Sequence, residues 1–505
     1  MPKDEIKPII HLTNTRCKIE HLPSSVAGII SKALEIPVPN YWFSAKYKNG
    51  SWDGRQHFFQ RPADTFPSGL LPIVLDLLKE NELDWEIDDQ REDVQKYTLK
   101  PVSADYSIND VKESREYQVD TINKVITNKI GDIPFVRGVI NIATNGGKTT
   151  IAEAIMKELY PALCENNKMF LFVTHSKEIA YQAKKSIETD TGIEVGFIGD
   201  GKWETKTITV ALIPTLYKRL KKPEFKELVN NTVGFVGDEV HHSSSNSWYE
   251  TLGKFTNASI RLGLTGTVDK ENKVNEYKLY SCTGTIINRI SNQYLIDHGY
   301  SAKPICVLFK VTSPELEGEY YGDAYQLGIV ESDERNEIIA EICNKETSSG
   351  NKVLILVEHI DHGEFIKQAI EDTKDGANKH IVFTNGGLQS EERESILQGL
   401  KDGNIDVLIS TAILDEGVDV SNINAVIYAR GMKSTRKLLQ GIGRGLRKKS
   451  DGSKLRFYDF IDDTHSSLLA HSLNRYKTLK AEGFTINKYD IEEYNKLQVE
   501  DIGNE

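Results

Sequence analysis

The stretch "VINIATNGGKTTIAEA" (residues 139–154) sets apolar, strand-like residues before a short polar turn, then Lys148 and Thr149 at the head of a helix-forming run. A strand, a glycine-containing turn and a helix N-terminus aim free backbone N–H groups and the positive end of a helix dipole at one point, which is a cradle for phosphate. Ala143, Thr144, Asn145, Gly146 and Gly147 would line that cradle and Thr150 would follow it. Lys148 would bring a charge to the outer phosphates and Thr149 a hydroxyl to Mg2+. Ile142 stands where the general pattern G-x-x-x-x-G-K-[ST] has its first glycine, so an ordinary strand-to-helix turn that contains GGKT is the competing reading.

Three further constellations bear on that choice. In "GFVGDEVHH", Asp238 and Glu239 follow a buried-looking strand directly. A carboxylate at the carboxyl end of such a strand can hold Mg2+, and the next can polarise an attacking water, which assigns Asp238 to the metal and Glu239 to the water. An acidic loop after a strand gives the same letters. In "SREYQ", Arg115, Tyr117 and Gln118 offer an aromatic face and an amide able to read adenine, or simply the packing of a helix start. In "LLQGIGRGLRKK", helical spacing puts Gln440, Arg444 and Arg447 on one face, where the arginines could reach a γ-phosphate. Gly441, Gly443 and Gly445 each cost a helix on the order of 1 kcal/mol against alanine, so a purely structural helix has little reason for this composition. A solvated basic helix end remains open for Lys448 and Lys449.

The elements that must position these residues follow from the alternation of short β-branched runs with helical segments. "GVINIA", "KMFLFVT", "TITVALI" and "TVGFVGDE" give one parallel sheet covered by helices. After "LIDHGYSAKP" the pattern restarts with "ICVLFKV", "KVLILVE", "HIVFTN", "DVLIST" and "AVIYAR". The expected fold class is α/β, with two tandem RecA-like P-loop domains preceded by a small α+β domain. The boundaries read as 1–95, 96–300, 301–465 and a helical tail at 466–505, with the acidic run "KENELDWEIDDQRED" as a solvated helix face and linker closing the first unit.

At 505 residues the chain is too long for one core. Its formal charge of −12 argues against coating a polyanion with the whole surface, so any such partner must meet a local patch. Five scattered cysteines without C-x-x-C spacing argue against a disulfide framework or a zinc site. With no signal-like or membrane-length apolar run, the expectation is a cytoplasmic protein without a membrane partner.

In order along the chain, these blocks resemble a superfamily 2 helicase motor over residues 110–465. "SREYQ" is similar to the adenine-reading motif, "ATNGGKT" to motif I, "FVTHSKEIAYQ" to motif Ia, "DEVH" to motif II, "GLTGT" to motif III, "LISTAILDEGVDV" to motif V and "QGIGRGLR" to motif VI. The family often has Ala-Thr-Gly-x-Gly-Lys-Thr at motif I, so Ile142 is simply strand and the departure lies at Asn145 and Gly146. The resemblance implies ATP and Mg2+ as cofactors, Gly417 and Asp419 beside the nucleotide, Thr265 and Thr267 as coupling residues, and a nucleic-acid strand met by Thr174, Thr215, Lys218, Arg219 and Thr411.

The element "YKNGSWDGRQHFF" in the N-terminal unit is similar to one in the UvsW-type helicases of T-even and related phages. That likeness implies a monomeric motor on branched DNA: fork regression, Holliday-junction migration, R-loop unwinding and strand annealing. A phage-encoded chain would work in the host cytoplasm, and an RNA–DNA hybrid is a further expected substrate. Residues 41–61 themselves mix Lys46, Lys48, Arg55 and Arg61 with seven aromatic residues and a single acid, Asp53. Basic groups suit phosphate and exposed rings stack on bases, while at least half of these rings are expected in the core. Lys48, Trp52 and Arg55 are the DNA-contact candidates. An RNA helicase and a restriction-type duplex translocase are the alternatives.

Overall fold

A computed structural model describes residues 7–92, 94–109, 112–240, 245–266, 272–318, 320–385, 390–411, 422–445, 455–499 and 501–502. The chain divides into two compact units, Met1–Ala143 with Gly147–Arg289, and Thr144–Gly146 with Ile290–Glu505. The division near residue 289 falls slightly before the boundary expected at 300.

Strands rich in Val, Ile, Leu and Phe build an eight-stranded sheet in the first unit. Its order is Lys202–Glu204, Val195–Gly199, Ile208–Leu212, Met169–Thr174, Thr232–Gly237, Ile260–Thr265, Arg137–Ile142 and Ile286–Ile290. All the central pairs are parallel. Every residue of Arg137–Ile142 and of Thr232–Gly237 is buried, as expected for strands covered on both faces. The second unit holds a seven-stranded sheet ordered Ile381–Thr384, Val407–Ser410, Val353–Leu356, Ala425–Tyr428, Arg456–Asp462, Ile305–Val311 and Thr485–Tyr489. Its pairs are likewise parallel. The two parallel sheets expected from the sequence are therefore present.

Two expected segments differ. The acidic run contributes a strand, Glu86–Asp89, parallel to Ile9–Leu12, because Trp85 and Ile87 turn inward against the core. Arg91 fixes it with both oxygens of Asp89, at 2.7 and 2.8 Å, and with the carbonyl of Pro134 at 2.8 Å. The tail after 465 is not only helical. Beyond the helix Ser466–Ala481, Thr485–Tyr489 adds the edge strand beside Ile305–Val311.

The small N-terminal domain has a four-stranded sheet and the helices Ser24–Ala33 and Leu71–Glu80. Its core runs without a break into that of the larger sheet, with Phe58 against Tyr277 at 5.7 Å. The buried Arg137 ties the two together. Its guanidinium donates to the carbonyls of Thr283 (2.5 Å) and Asn14 (3.1 Å) and to Ser68 Oγ (2.7 Å), and lies over Phe135. Burial, then the neighbouring Arg261, pushes it well below its ordinary pKa, so carbonyl dipoles and a ring face do the work a carboxylate usually does. Arg137→Ala leaves three acceptors without donors. It is expected to cost about 3 kcal/mol in urea unfolding and to make the N-terminal domain the first part lost to limited proteolysis.

Candidate functional site

Parallel strands in register deliver their carboxyl ends to one edge of the first sheet, where ligands of α/β proteins collect. Asn141 pairs with Thr265, Val173 with Gly237 and Thr174 with Leu212. The turn 143–147, His175, Asp238, Thr265 and the start of Ile213–Lys218 consequently share this edge. The order of these strands in space is what gathers residues spread from position 143 to position 265 of the chain.

The phosphate turn runs from Ile142 into the helix Lys148–Glu165. Asn145 has φ +68° and Gly147 φ +71°, both left-handed. Asparagine is the side chain that best tolerates this region after glycine. The departure at Asn145 from the family's usual glycine thus preserves the backbone the turn needs. Gly146 takes the position where the family varies. A Cβ on Gly147 would also strike the amide nitrogen of Gln118.

Lys148 is half-buried, and its ammonium donates to the Ile142 carbonyl at 3.3 Å. Thr149 is half-buried beside it and Thr150 is buried. Asp238 is held at the strand end by its own N–H, which donates to Val173 at 2.9 Å. Its Oδ1 accepts the Glu239 N–H at 3.0 Å, and Glu239 has φ +50°. Part of Asp238 reaches solvent, yet the protein packed around its carboxyl and the Glu239 charge push its pKa up to about 7, against the pull of Lys148 and His175. Two carboxyl groups beside an ammonium make a polar pocket for a cation and phosphate. Mg2+ binds through one or two protein oxygens with phosphate and water completing its shell, and the Thr149 hydroxyl and Asp238 carboxyl could supply such oxygens.

His175 lies inside the motif Ia-like block "FVTHSKEIAYQ", and its charge is one of the influences that lower the Asp238 pKa, a role the block's pattern does not single out. Its place directly after a buried strand was the available signal.

Tyr117 and Gln118 are 2% and 4% exposed. The Gln118 carbonyl accepts the Arg115 N–H at 2.9 Å, and Arg115 Nη1 donates to the Tyr117 hydroxyl at 3.1 Å. Gln118 therefore braces the phosphate turn, and Tyr117 offers no open face. Thr174 is fully buried with no hydrogen-bond partner for its hydroxyl among the described residues. Thr215 is half-buried and Lys218 exposed on the helix Ile213–Lys218. Arg219 is engaged by Glu224 at 3.0 Å and stacks over Trp203. Thr265 is buried.

In the second unit Thr411 is nearly buried and its N–H donates to Thr384. Gln440 and Arg444 belong to the helix Thr435–Gly445. Their side chains, together with Thr267, Gly417, Asp419 and Arg447, lie outside the described residues. At Gly441 packing explains the glycine: a Cβ there would come within 2.8 Å of the Leu356 side chain.

Fold and edge together define a P-loop nucleotide-dependent protein built on two RecA-like sheets. Residues 111–270 match the family "Type III restriction enzyme, res subunit", and residues 334–449 match "Helicase conserved C-terminal domain". The chain belongs to the superfamily 2 helicases, a class of ATP-dependent helicase and translocase motors. It is 26% identical over 369 residues to IRC3 of Saccharomyces cerevisiae, covering 69% of this chain but only 51% of that protein. It is 23% identical over 439 residues to the ATP-dependent DNA helicase uvsW of Enterobacteria phage T4, covering 84% of each. Among solved structures, Saccharomyces cerevisiae Dbp5 bound to RNA and ADP BeF3 matches with a TM-score of 0.55 at 15% identity, over 77% of this chain and 93% of that one. That likeness is one of fold. No helix among the described residues is long and apolar enough to cross a membrane.

The left-handed turn yields a direct check. Asn145→Gly is expected to keep affinity for a fluorescent ATP analogue. Asn145→Val, whose branched side chain resists positive φ, is expected to lose about 1–2 kcal/mol in thermal unfolding and ten-fold or more in nucleotide affinity.

Proposed function

We propose that the chain couples ATP hydrolysis to movement along DNA and acts on branched substrates. The observation that carries this reading is the shared edge where the Asn145–Gly147 turn, Lys148, Asp238 and Glu239 meet. The turn's amides and Lys148 hold the β- and γ-phosphates, with Ala143, Thr144 and Gly146 completing the cradle. Thr149 and Asp238 would hold Mg2+, which when bound would neutralise phosphate charge as it develops. Glu239 takes the proton of the attacking water and orients it, its carboxyl directed by a backbone in the left-handed region.

Arg444 and Arg447 act as fingers on the transferred phosphate, with Gln440 beside them and Gly417 and Asp419 near the nucleotide. Arg115 stands nearest the adenine, with Tyr117 and Gln118 behind it as supports. Thr265 and Thr267 link the nucleotide state to the grip on DNA. Thr174, Thr215, Lys218, Arg219 and Thr411 follow the strand by its phosphates, and a threonine buried as deeply as Thr174 meets it only after the edge rearranges. Lys48, Trp52 and Arg55 add contacts from the N-terminal domain. The name of the T4 relative, an ATP-dependent DNA helicase, supports DNA over RNA. Fork regression, Holliday-junction migration, R-loop unwinding and annealing are the proposed activities of a monomeric motor in the cytoplasm.

The test is ATP hydrolysis and unwinding on linear duplex, fork, four-way junction and RNA–DNA hybrid. Stimulation by fork or junction well above linear duplex is expected. Equal stimulation by linear duplex would favour a restriction-type translocase, and stimulation by RNA alone an RNA helicase. Lys148→Ala is expected to lower turnover by about a hundred-fold or more, because one preorganised charge on the transferred phosphate contributes that much. Retained turnover would remove the phosphate role from this loop.

A further inference from the structure

The aromatic residues of the N-terminal domain separate into two populations. Phe58, Phe59 and Phe66 are at most 3% exposed and fill the core. Trp42, Phe43 and Tyr47 are 50%, 72% and 38% exposed within a short knuckle made of Tyr41–Phe43 and the single helical turn Ala45–Lys48. Large rings clustered in water mark a contact surface.

The knuckle is held in shape by contacts within its own segment. Tyr41 packs edge-on against Trp42 and Tyr47, with ring centres 5.3 and 4.6 Å apart. Its ring occupies the space that a side chain at Gly54 would need. Ser51 Oγ donates to the Lys46 carbonyl at 3.1 Å, and Trp52 Nε1 to the Arg55 carbonyl at 2.8 Å. A platform ordered in advance loses little entropy when something lands on it.

Its charge selects the partner. Lys46 and Lys48 are exposed and, among the described residues, pair with no carboxylate. The one acid of the segment, Asp53, is already taken by His57 at 2.7 Å and by the Arg55 N–H at 3.0 Å. Arg55 is also paired, with Glu35 at 3.1 Å. A chain of net charge −12 thus presents a locally cationic aromatic face. Beside it lies an open groove of about 650 Å³ lined by Trp42, Tyr47, Lys48, Trp52 and Asp53.

We propose that this knuckle is a stacking platform for unpaired nucleobases of a branched or single-stranded nucleic acid. Trp42 and Phe43 stack on the bases while Lys46 and Lys48 meet the adjoining phosphates. Bases inside a duplex hide their faces in the stack, so the platform distinguishes a branch point from a continuous helix. An apolar protein surface would gain nothing from the two unpaired ammonium groups. The inference rests on the DNA reading above for its setting, but its chemistry is independent of ATP.

The test is equilibrium binding of the full chain, without nucleotide, to a fork with unpaired arms and to a blunt duplex of equal length. The variant W42A/F43A is expected to lower fork affinity about ten-fold or more and so to collapse the fork-to-duplex ratio. F43A, at a side chain almost wholly in solvent, should show part of that loss with unchanged melting. K46Q should reduce the salt-dependence slope by about one.

Fork affinity unchanged in both aromatic variants overturns the proposal, as does an equal loss on fork and duplex. Loss of a solution dimer with DNA binding intact also overturns it and makes the knuckle a contact between copies. A wild-type chain that prefers forks through these residues but hydrolyses no ATP would sink the motor reading and leave the platform standing.

Discussion

One strand, Arg137–Ile142, bears constraints at both ends. At its carboxyl end the chain must pass through two left-handed residues, Asn145 and Gly147, before Lys148 can open a helix. At its amino end Arg137 is buried and must spend its donors on Asn14, Ser68 and Thr283. Between them every residue is buried, and the register with Ile260–Thr265 runs unbroken from Arg137 opposite Arg261 to Asn141 opposite Thr265. A slip of one residue would turn every side chain to the wrong face and break both ends together. The start of the helix Lys148–Glu165 and the anchoring of the N-terminal domain through Asn14 and Ser68 therefore both depend on this one strand of the first unit.

The two sheets solve the burial of charge differently. In the first unit Arg261, like Arg137, is buried without a carboxylate, and it donates to the carbonyls of Leu252, Phe255, Ala258 and Cys282. Those carbonyls come from loops and helix ends, and the guanidinium ties them together at one buried point. In the second unit Arg335 pairs with Asp462 at 2.9 Å, and Arg475 bridges Asp459 and Asp462, all buried. This network pins the helices Asp333–Ser348 and Ser466–Ala481 to the strand Arg456–Asp462. Buried pairs of this kind add little net stability, but they are intolerant of the wrong packing.

What was legible in the sequence follows from this chemistry. The runs that read as strands, from "GVINIA" to "AVIYAR", are mostly apolar and lie where expected. Val195–Gly199 is hard to see because two glycines thin its apolar signal, and Ile260–Thr265 and Arg456–Asp462 because each has an arginine in its first two positions that looks solvated. Partners outside the strand, carbonyls from Leu252 to Cys282 for Arg261 and Glu346 for Arg456, make those charges acceptable inside. The phosphate turn was legible because its chemistry is local. The tolerance of asparagine at 145 was not, since it depends on a dihedral angle. Tyr117 and Gln118 were legible as a motif, whereas their burial depended on the helix Glu116–Ile126 packing beside the turn.

Composition alone could not divide the aromatic residues of the N-terminal domain, and the reason is geometric. Residues 55–57 pair with 35–37 as a strand, which carries the next two residues, Phe58 and Phe59, down into the core. Residues 41–48 form two helical turns too short to present a continuous face, so Tyr41 packs inward over Gly54 while Trp42, Phe43 and Tyr47 are left with one side in solvent. The turn at Asp53 and Gly54 separates these two fates. Hiding Trp42, Phe43 and Tyr47 would need a second layer over the knuckle, and the domain's two helices already cover its own sheet. Their exposure is a consequence of topology rather than of loose packing, and a surface that topology keeps exposed is one that a ligand can always reach.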